Sequence, residues 1–323
     1  MTLGSIAASV ACLALALRGT NLREIGSILS RSHLWLGAPL LLLQVPFYFL
    51  KAVRWRLLLL PVREERTSRL VAPMMVGFMG NNILPARIGE IIRMYLGARL
   101  MRITQSQMLG TLILERVFDF VAVLVFFGVG VVALGDVPDG LVSVGYIAAA
   151  MSAMVMLGAT AYVAWTGPVL RIAERVTRLL PPKLGSVVLR QLELGASGMG
   201  SLRRPGLLVG IITTSLLQWF LMAACIYCSF LAVDLSAPRS AAFVVLAATV
   251  FGAMIPAAPG FVGTMHLAFV LALAPFAVPE GTAMAAAVFF HTIPYIGVTL
   301  GGLYYLRQTG IRFRQLGRET MES

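Results

Sequence analysis

Acidic residues are scarce in this chain: 14 Asp and Glu stand among 323 residues, and charge of either sign reaches only 12%. A soluble domain carries about 25% charged residues, so that class is excluded. Cysteine is rarer still. Cys12, Cys225 and Cys228 all lie inside apolar runs; Cys225-Ile-Tyr-Cys228 has metal or redox spacing but no companion ligands, so packing is its expected role and no compartment follows from it. There are three histidines, and neither His266 nor His291 has a carboxylate or cysteine cluster nearby, so no metal site is expected. No nucleotide-binding motif occurs, which leaves any transport passive, partner-driven or coupled to an ion or proton gradient. The net charge of +12 has no basic, aromatic-interleaved soluble segment behind it, so nucleic acid is not an expected partner, and no cofactor is expected.

Apolar residues dominate. With 59% hydrophobic residues and a mean hydropathy of +0.87, the chain reads as a single all-α polytopic membrane domain over residues 1–323. Residues 3–17 are apolar with no Lys or Arg before them, unlike a cleaved signal peptide, and Ser9 stands where a lipobox would place leucine; they read as the first membrane helix. Residues 34–50 form the next run, ending at Lys51-Ala-Val-Arg54-Trp55-Arg56, where an aromatic beside basic residues suits a membrane interface. Residues 104–134 are long enough to span with tilt and end at an acidic turn containing Asp136 and Asp139; residues 141–165 return. A basic amphipathic connector over 168–205 follows, then spans over 206–233 and 282–306, the last stopping before Arg307, Arg312 and Arg314. The basic residues of 51–69, 168–205 and the tail place these segments and both termini on the cytoplasmic side of a bacterial or archaeal cell membrane; Arg18, Arg23 and Arg31 dissent.

The stretch Gly77-Phe-Met-Gly-Asn-Asn-Ile-Leu-Pro-Ala-Arg-Ile-Gly-Glu-Ile-Ile-Arg93 organises the rest. Residues 74–84 fall short of the ~20 apolar residues of a spanning helix. Pro85 lacks an amide hydrogen and forces Leu84 out of the helical region, so one half-helix is predicted to end near Leu84 and another to start near Arg87. Residues 241–276 are interrupted in the same way by Pro256-Ala-Ala-Pro259-Gly260. Span, hairpin, span over 34–134 is therefore matched over 206–306, with the hairpins entering from opposite sides: an inverted-topology repeat, which points to a midplane binding site. About six spanning helices plus two re-entrant hairpins are expected.

The charges inside this apolar frame are the candidate site. Arg87, Glu90 and Arg93 recur at three-residue spacing on one helical face, two cations to one anion, and the surplus suits a phosphate bound by the planar guanidinium fork. Glu115, Arg116 and Asp119 interrupt an apolar span, either holding the hairpin in place or touching substrate. Asn81 and Asn82 are suited to cap the broken helix or to offer amides to a headgroup. His266 and His291 are candidates for proton coupling, with simple hydrogen bonding as the plainer alternative.

Arg54-Trp55-Arg56, the run from Asn81 to Arg93, Glu115-Arg116-Val-Phe-Asp119 and Pro259-Gly260-Phe-Val-Gly263 together resemble the lysylphosphatidylglycerol synthase transmembrane-domain family, also called flippase-like. The resemblance implies a polytopic protein that moves lipid, as in the bacterial multiple peptide resistance factors, where such a domain carries aminoacylated phosphatidylglycerol to the outer leaflet. Other relatives are associated with polyprenyl-linked glycans. Many relatives carry a glutamate shortly after the Pro-Gly element, about where His266 stands here. No synthase-like soluble domain follows the last span, so a separate lipid synthase is an expected partner.

The function expected is translocation of an anionic or zwitterionic phospholipid without covalent chemistry. Arg87, Arg93 and Arg116 would receive the phosphate, and Glu90, Glu115 and Asp119 would hold those arginines or admit a cationic headgroup. The alternatives are a membrane-embedded transferase on a lipid phosphate, with Glu90, Glu115 or Asp119 as base or metal ligand, and a scaffold recruiting a cytoplasmic synthase through residues 168–205. Oligomeric state does not follow from the sequence.

Overall fold

Leu84 and Pro85 divide what hydropathy alone would join. The structure, a computed structural model, describes residues 2–18, 21–85, 87–133, 165–177, 200–254 and 258–309, with short stretches between 143 and 197. Among these residues there are helices and no strand: α1 Thr2–Ala16, α2 Leu22–Arg31, α3 Gly37–Leu59, α4 Thr67–Ile83, α5 Ile88–Met101, α6 Gln105–Val132, α7 Thr166–Thr177, α8 Pro205–Ala232, α9 Ala241–Met254, α10 Thr264–Leu273 and α11 Glu280–Thr309. Pro256, the acidic turn of Asp136 and Asp139, most of the segment 141–165, parts of the 168–205 connector and the tail beyond Thr309 lie outside the described residues.

Among the described residues, four helical stretches are long and apolar enough to cross a membrane: Leu34–Leu59, Pro205–Ala232, Pro259–Phe276 and Glu280–Thr309. Helix α6 matches them in length at 28 residues, but no eighteen-residue stretch of it is free of Glu115, Arg116 and Asp119. Helix α1, expected to span, has 15 residues and a length of about 22 Å at 1.5 Å per residue, less than the ~30 Å hydrocarbon core. Large apolar side chains on the outer faces of α3, α8 and α11 are exposed, among them Leu42, Val45, Val209, Phe220, Leu300 and Tyr304. In water such a surface would aggregate; in lipid it is the solvated face.

Each broken segment is built by its own local chemistry. At the first break, Leu84 is extended (φ −103°, ψ 145°) and Arg87 is left-handed (φ 57°, ψ 30°), so α5 folds back along α4. The two run antiparallel at backbone contact: Gly80 meets Gly89, and Gly77 meets Arg93. A Cβ on Gly89 would collide with the Gly77 carbonyl oxygen and the Asn81 amide nitrogen, which is why small residues recur on this seam. At the second break, Gly260 (φ 68°), Phe261 (φ 59°) and Gly263 (φ 92°) turn the chain between α9 and α10, and the Ser9 hydroxyl of α1 accepts the Ala258 N–H at 2.6 Å. Helix α1 thus satisfies a backbone donor that the break exposes. Helix α6 starts with a capping box, Thr104 Oγ1 accepting from Gln107 N at 3.2 Å and Gln107 Oε1 from Thr104 N at 3.1 Å.

The helix pairings have a regular form. The most extensive contact joins α3 to α8. Each other pairing among α3–α6 has a counterpart among α8–α11: α4 with α5 and α9 with α10, α3 with α4 and α8 with α9, α3 with α6 and α8 with α11, α5 with α6 and α10 with α11. The cross-pairings also match, α4 on α11 and α9 on α6.

The α4–α5 seam gives a direct test. Gly89→Val should lower the detergent-solubilised unfolding midpoint by an amount equivalent to ~1–3 kcal/mol or more of overpacking. Gly26→Ala, in α2 with open space around it, should raise stability by up to ~1 kcal/mol. Thermal unfolding of both variants beside wild type decides; equal midpoints for Gly89→Val and wild type would contradict the seam.

Candidate functional site

Asp119 and Glu115 are one turn apart on α6 and both are buried, at 4% and 0% exposure. A carboxylate buried away from water is stable only with partners, and three helices supply them. From α3 come Lys51 and Arg54, one turn apart. From α5 comes Arg93. From α8 come Ser215, Gln218 and Trp219, again on one face. Arg93 makes a two-pronged bridge to Glu115, Nη1 to Oε1 at 2.8 Å and Nη2 to Oε2 at 2.6 Å. Its guanidinium lies 4.0 Å from the centre of the Trp55 ring, and the Trp55 indole N–H donates to Thr111 Oγ1 at 3.2 Å. Arg54 Nη1 approaches Asp119 Oδ1 at 2.7 Å and donates to Ser215 Oγ at 3.1 Å. Gln218 Nε2 and Trp219 Nε1 each donate to Asp119 Oδ1 at 2.8 Å. Lys51 Nζ sits 3.3 Å from Asp119 Oδ2 and 3.5 Å from Glu115 Oε1.

Arg116 differs from the other cations. It follows Glu115 by one residue, so it turns off the buried face and is 44% exposed, while still reaching Glu115 (3.1 Å), Glu90 (3.4 Å) and Asp119 (3.5 Å). Four cations, Lys51, Arg54, Arg93 and Arg116, thus surround three carboxylates, Glu90, Glu115 and Asp119. One positive charge is left over, and Arg116 presents it outward.

Beside this network lies a cavity of about 250 Å³ at the junction of α3, α4, α6, α8, α9 and α11. Lys51, Asn81, Asn82 and Arg116 line it together with Thr249, Gly260, His291 and Tyr295, and most of the remaining wall is apolar. A second, apolar groove between α3, α4 and α11 shares Tyr48, Pro294 and Val298 with it.

The predicted residues are dispersed in an instructive way. Asn81, Asn82, Arg116 and His291 line the cavity, and so does Gly260 of the second break. Glu115, Asp119 and Arg93 stand behind it. Of Arg87, Glu90 and Arg93, the last two keep the three-residue spacing inside α5, whereas Arg87 precedes the helix in a left-handed conformation, and each of the three takes a different partner. Arg87 reaches across to the second break, donating from Nη2 to the Ala253 carbonyl at 2.5 Å and lying 5.4 Å from the Phe261 ring centre. Asn82 does not cap α4; its Nδ2 donates to Tyr295 O (3.2 Å) and Thr299 Oγ1 (3.0 Å) of α11, and Tyr295 Oη donates to Asn82 O (3.2 Å). The Pro85 break and the Pro259-Gly260 break therefore meet. His266 and His291 come together, ring centres 4.9 Å apart, with the Gly263 N–H donating to His266 Nδ1 at 3.4 Å.

Five residues of the site, Lys51, Arg54, Ser215, Gln218 and Trp219, were not among those expected from the sequence. Lys51 and Arg54 were expected at the membrane interface because they adjoin Trp55 and a basic loop, but they are 4% and 0% exposed and belong to the charge network. The available signal was their three-residue spacing, which puts them on the face of α3 that also carries buried Gln44, Phe47 and Leu58. Gln218 and Trp219 carried no signal, being one amide and one aromatic in a long apolar run. Among the described residues no group of three or more His, Cys, Asp or Glu is placed to hold a metal ion.

The family described as Lysylphosphatidylglycerol synthase TM region matches residues 2–302. The chain belongs to this family. The resemblance carried by the Asn81–Arg93 stretch and the Glu115–Asp119 motif is thereby established, and with it an integral membrane protein connected with lipid handling. No curated protein and no solved structure matches the chain.

For this family member the Arg93–Glu115 pair allows a stability test. Arg93→Met takes from buried Glu115 its two-pronged partner and should cost ~3–5 kcal/mol, as should Glu115→Leu, whereas the double variant Arg93→Met with Glu115→Leu should cost less than the sum of the two. Arg93→Lys should not rescue, since an ammonium cannot form the two-pronged bridge. Unfolding midpoints of the two single variants and the double variant give the coupling; additive losses would mean that the pair is not linked.

Proposed function

We propose that the chain translocates a lipid phosphate, anionic or zwitterionic, between bilayer leaflets, without covalent chemistry. The observation that carries this reading is the pairing of a cavity that bears Lys51, Arg116, Asn81 and Asn82 with an apolar groove sharing three of its wall residues. A phospholipid has this division: a charged headgroup for the cavity and acyl chains for a groove open to the bilayer. Arg116 receives the phosphate, with Lys51 beneath it. Arg93, Glu115, Arg54 and Asp119 fix the geometry, and Arg87 ties the first break to the second.

The same reading takes α4–α5 and α9–α10 as re-entrant hairpins and the two four-helix sets as inverted repeats. Support comes from the matched helix pairings and from the meeting of the two breaks, which puts irregular backbone beside a cavity, where membrane proteins tolerate it. His291 at the cavity wall and His266 beside it are the groups through which a proton gradient would act. Cytoplasmic termini, a cell-membrane location and a separate lipid synthase complete the proposal.

The test is reconstitution in liposomes with fluorescent phospholipids and a membrane-impermeant quencher. Wild type should expose inner-leaflet lipid, and Arg116→Gln, correctly folded, should do so at least tenfold more slowly. Protection of the inner leaflet equal to that in protein-free vesicles, across phosphatidylglycerol, phosphatidylethanolamine and polyprenyl phosphate, would refute translocation. An Arg116→Gln variant as fast as wild type would remove Arg116 from the phosphate site.

A further inference from the structure

Lys51 occupies an unusual place for a lysine. Its ammonium lies 5.8 Å from the ring centre of Phe47, 5.7 Å from Phe78 and 5.7 Å from Trp219. Asp119 and Glu115 oxygens are at 3.3 and 3.5 Å. Three aromatic faces with two carboxylates form the set that recognises an ammonium ligand: the rings supply negative quadrupole faces, and the carboxylates supply full charge. Phe47, Phe78 and Trp219 line the cavity together with Lys51, so the cage opens onto the space assigned to the headgroup. The cage is already full. Its occupant is the chain's own ε-ammonium, with 5% of the side chain exposed.

We propose that Lys51 is a tethered occupant of an ammonium subsite, and that by filling it the chain selects lipids whose headgroup presents phosphate without an amine. The inference rests on the reading of this cavity as the headgroup site. A headgroup amine entering the cavity meets Lys51 in the only cage of this kind among the described residues, with Arg116 beside it, and like charges disfavour it. A headgroup of phosphate and hydroxyls meets the surplus positive charge and the Asn81 and Asn82 amides. Of the anionic and zwitterionic classes, the cavity therefore favours the anionic one.

The experiment uses the purified full chain in a maltoside detergent and reads unfolding midpoints, so it does not depend on transport. Wild type should be stabilised by dihexanoyl phosphatidylglycerol and not by dihexanoyl phosphatidylethanolamine, and should respond to methylammonium chloride no more than to sodium chloride. Lys51→Ala should unfold at a lower temperature, recover by several degrees in methylammonium over sodium at equal ionic strength, and gain a response to the ethanolamine lipid. If Lys51→Ala can be recovered folded only with methylammonium present from extraction onward, that too supports the cage. A folded Lys51→Ala that treats methylammonium and sodium alike, or that cannot be recovered even with methylammonium, would overturn it. So would a wild type stabilised equally by both lipids, an arm that needs no variant. Absence of lipid movement in vesicles would sink translocation while leaving these binding readouts to stand or fall on their own.

Discussion

Two carboxylates held away from water impose the order on this molecule. Glu115 and Asp119 sit on the inner face of α6, and neither can stay ionised there alone; each needs cations within hydrogen-bond reach. Those cations come from α3 and α5, and the remaining acceptor positions of Asp119 are filled from α8. Four helices are thereby fixed to one point. The net free energy of such a cluster is small, because desolvation offsets most of the attraction, but misplacing any member leaves a bare charge in an apolar interior. The cluster specifies position more than it adds stability.

The second constraint is the unpaired backbone at the helix breaks. A helix break frees amide and carbonyl groups that apolar surroundings cannot solvate, and the structure places the two breaks against each other and against polar side chains from neighbouring helices. Asn82 and Tyr295 exchange hydrogen bonds across the junction, Ser9 covers Ala258, and Arg87 covers Ala253. Both Arg87 and Phe261, one at each break, are non-glycine residues in left-handed conformation, and they face each other. Local strain at a junction of this kind persists only where the surroundings over-determine it.

Much of this was legible beforehand. Pro85 and the Pro259-Gly260 pair marked the breaks because proline removes a donor and restricts its neighbour, and both effects are local. Glu115, Arg116 and Asp119 stood out because charge inside an apolar span has few explanations. What could not be read was the direction in which side chains turn once helices pack. Lys51 and Arg54 follow an apolar run and precede a basic loop, so composition placed them at the surface; their burial is decided by a carboxylate pair more than 60 residues away in sequence. Arg87, Glu90 and Arg93 have helical spacing, but Arg87 lies before the first helical residue, so the spacing rule does not apply to it. Gln218 and Trp219 become part of the site only through the packing of α8 on α3 and α6.

The contact between the two breaks has a mechanical meaning. Asn82 grips α11 through a backbone oxygen and a hydroxyl one turn apart, and Arg87 grips the end of α9. The tip of the α4–α5 pair is thus clamped to α11 and α9, as a pin is held by two plates. Any displacement of this tip against α9 and α11 would have to break these polar contacts at the cavity rim, together with the apolar packing of α4 on α11.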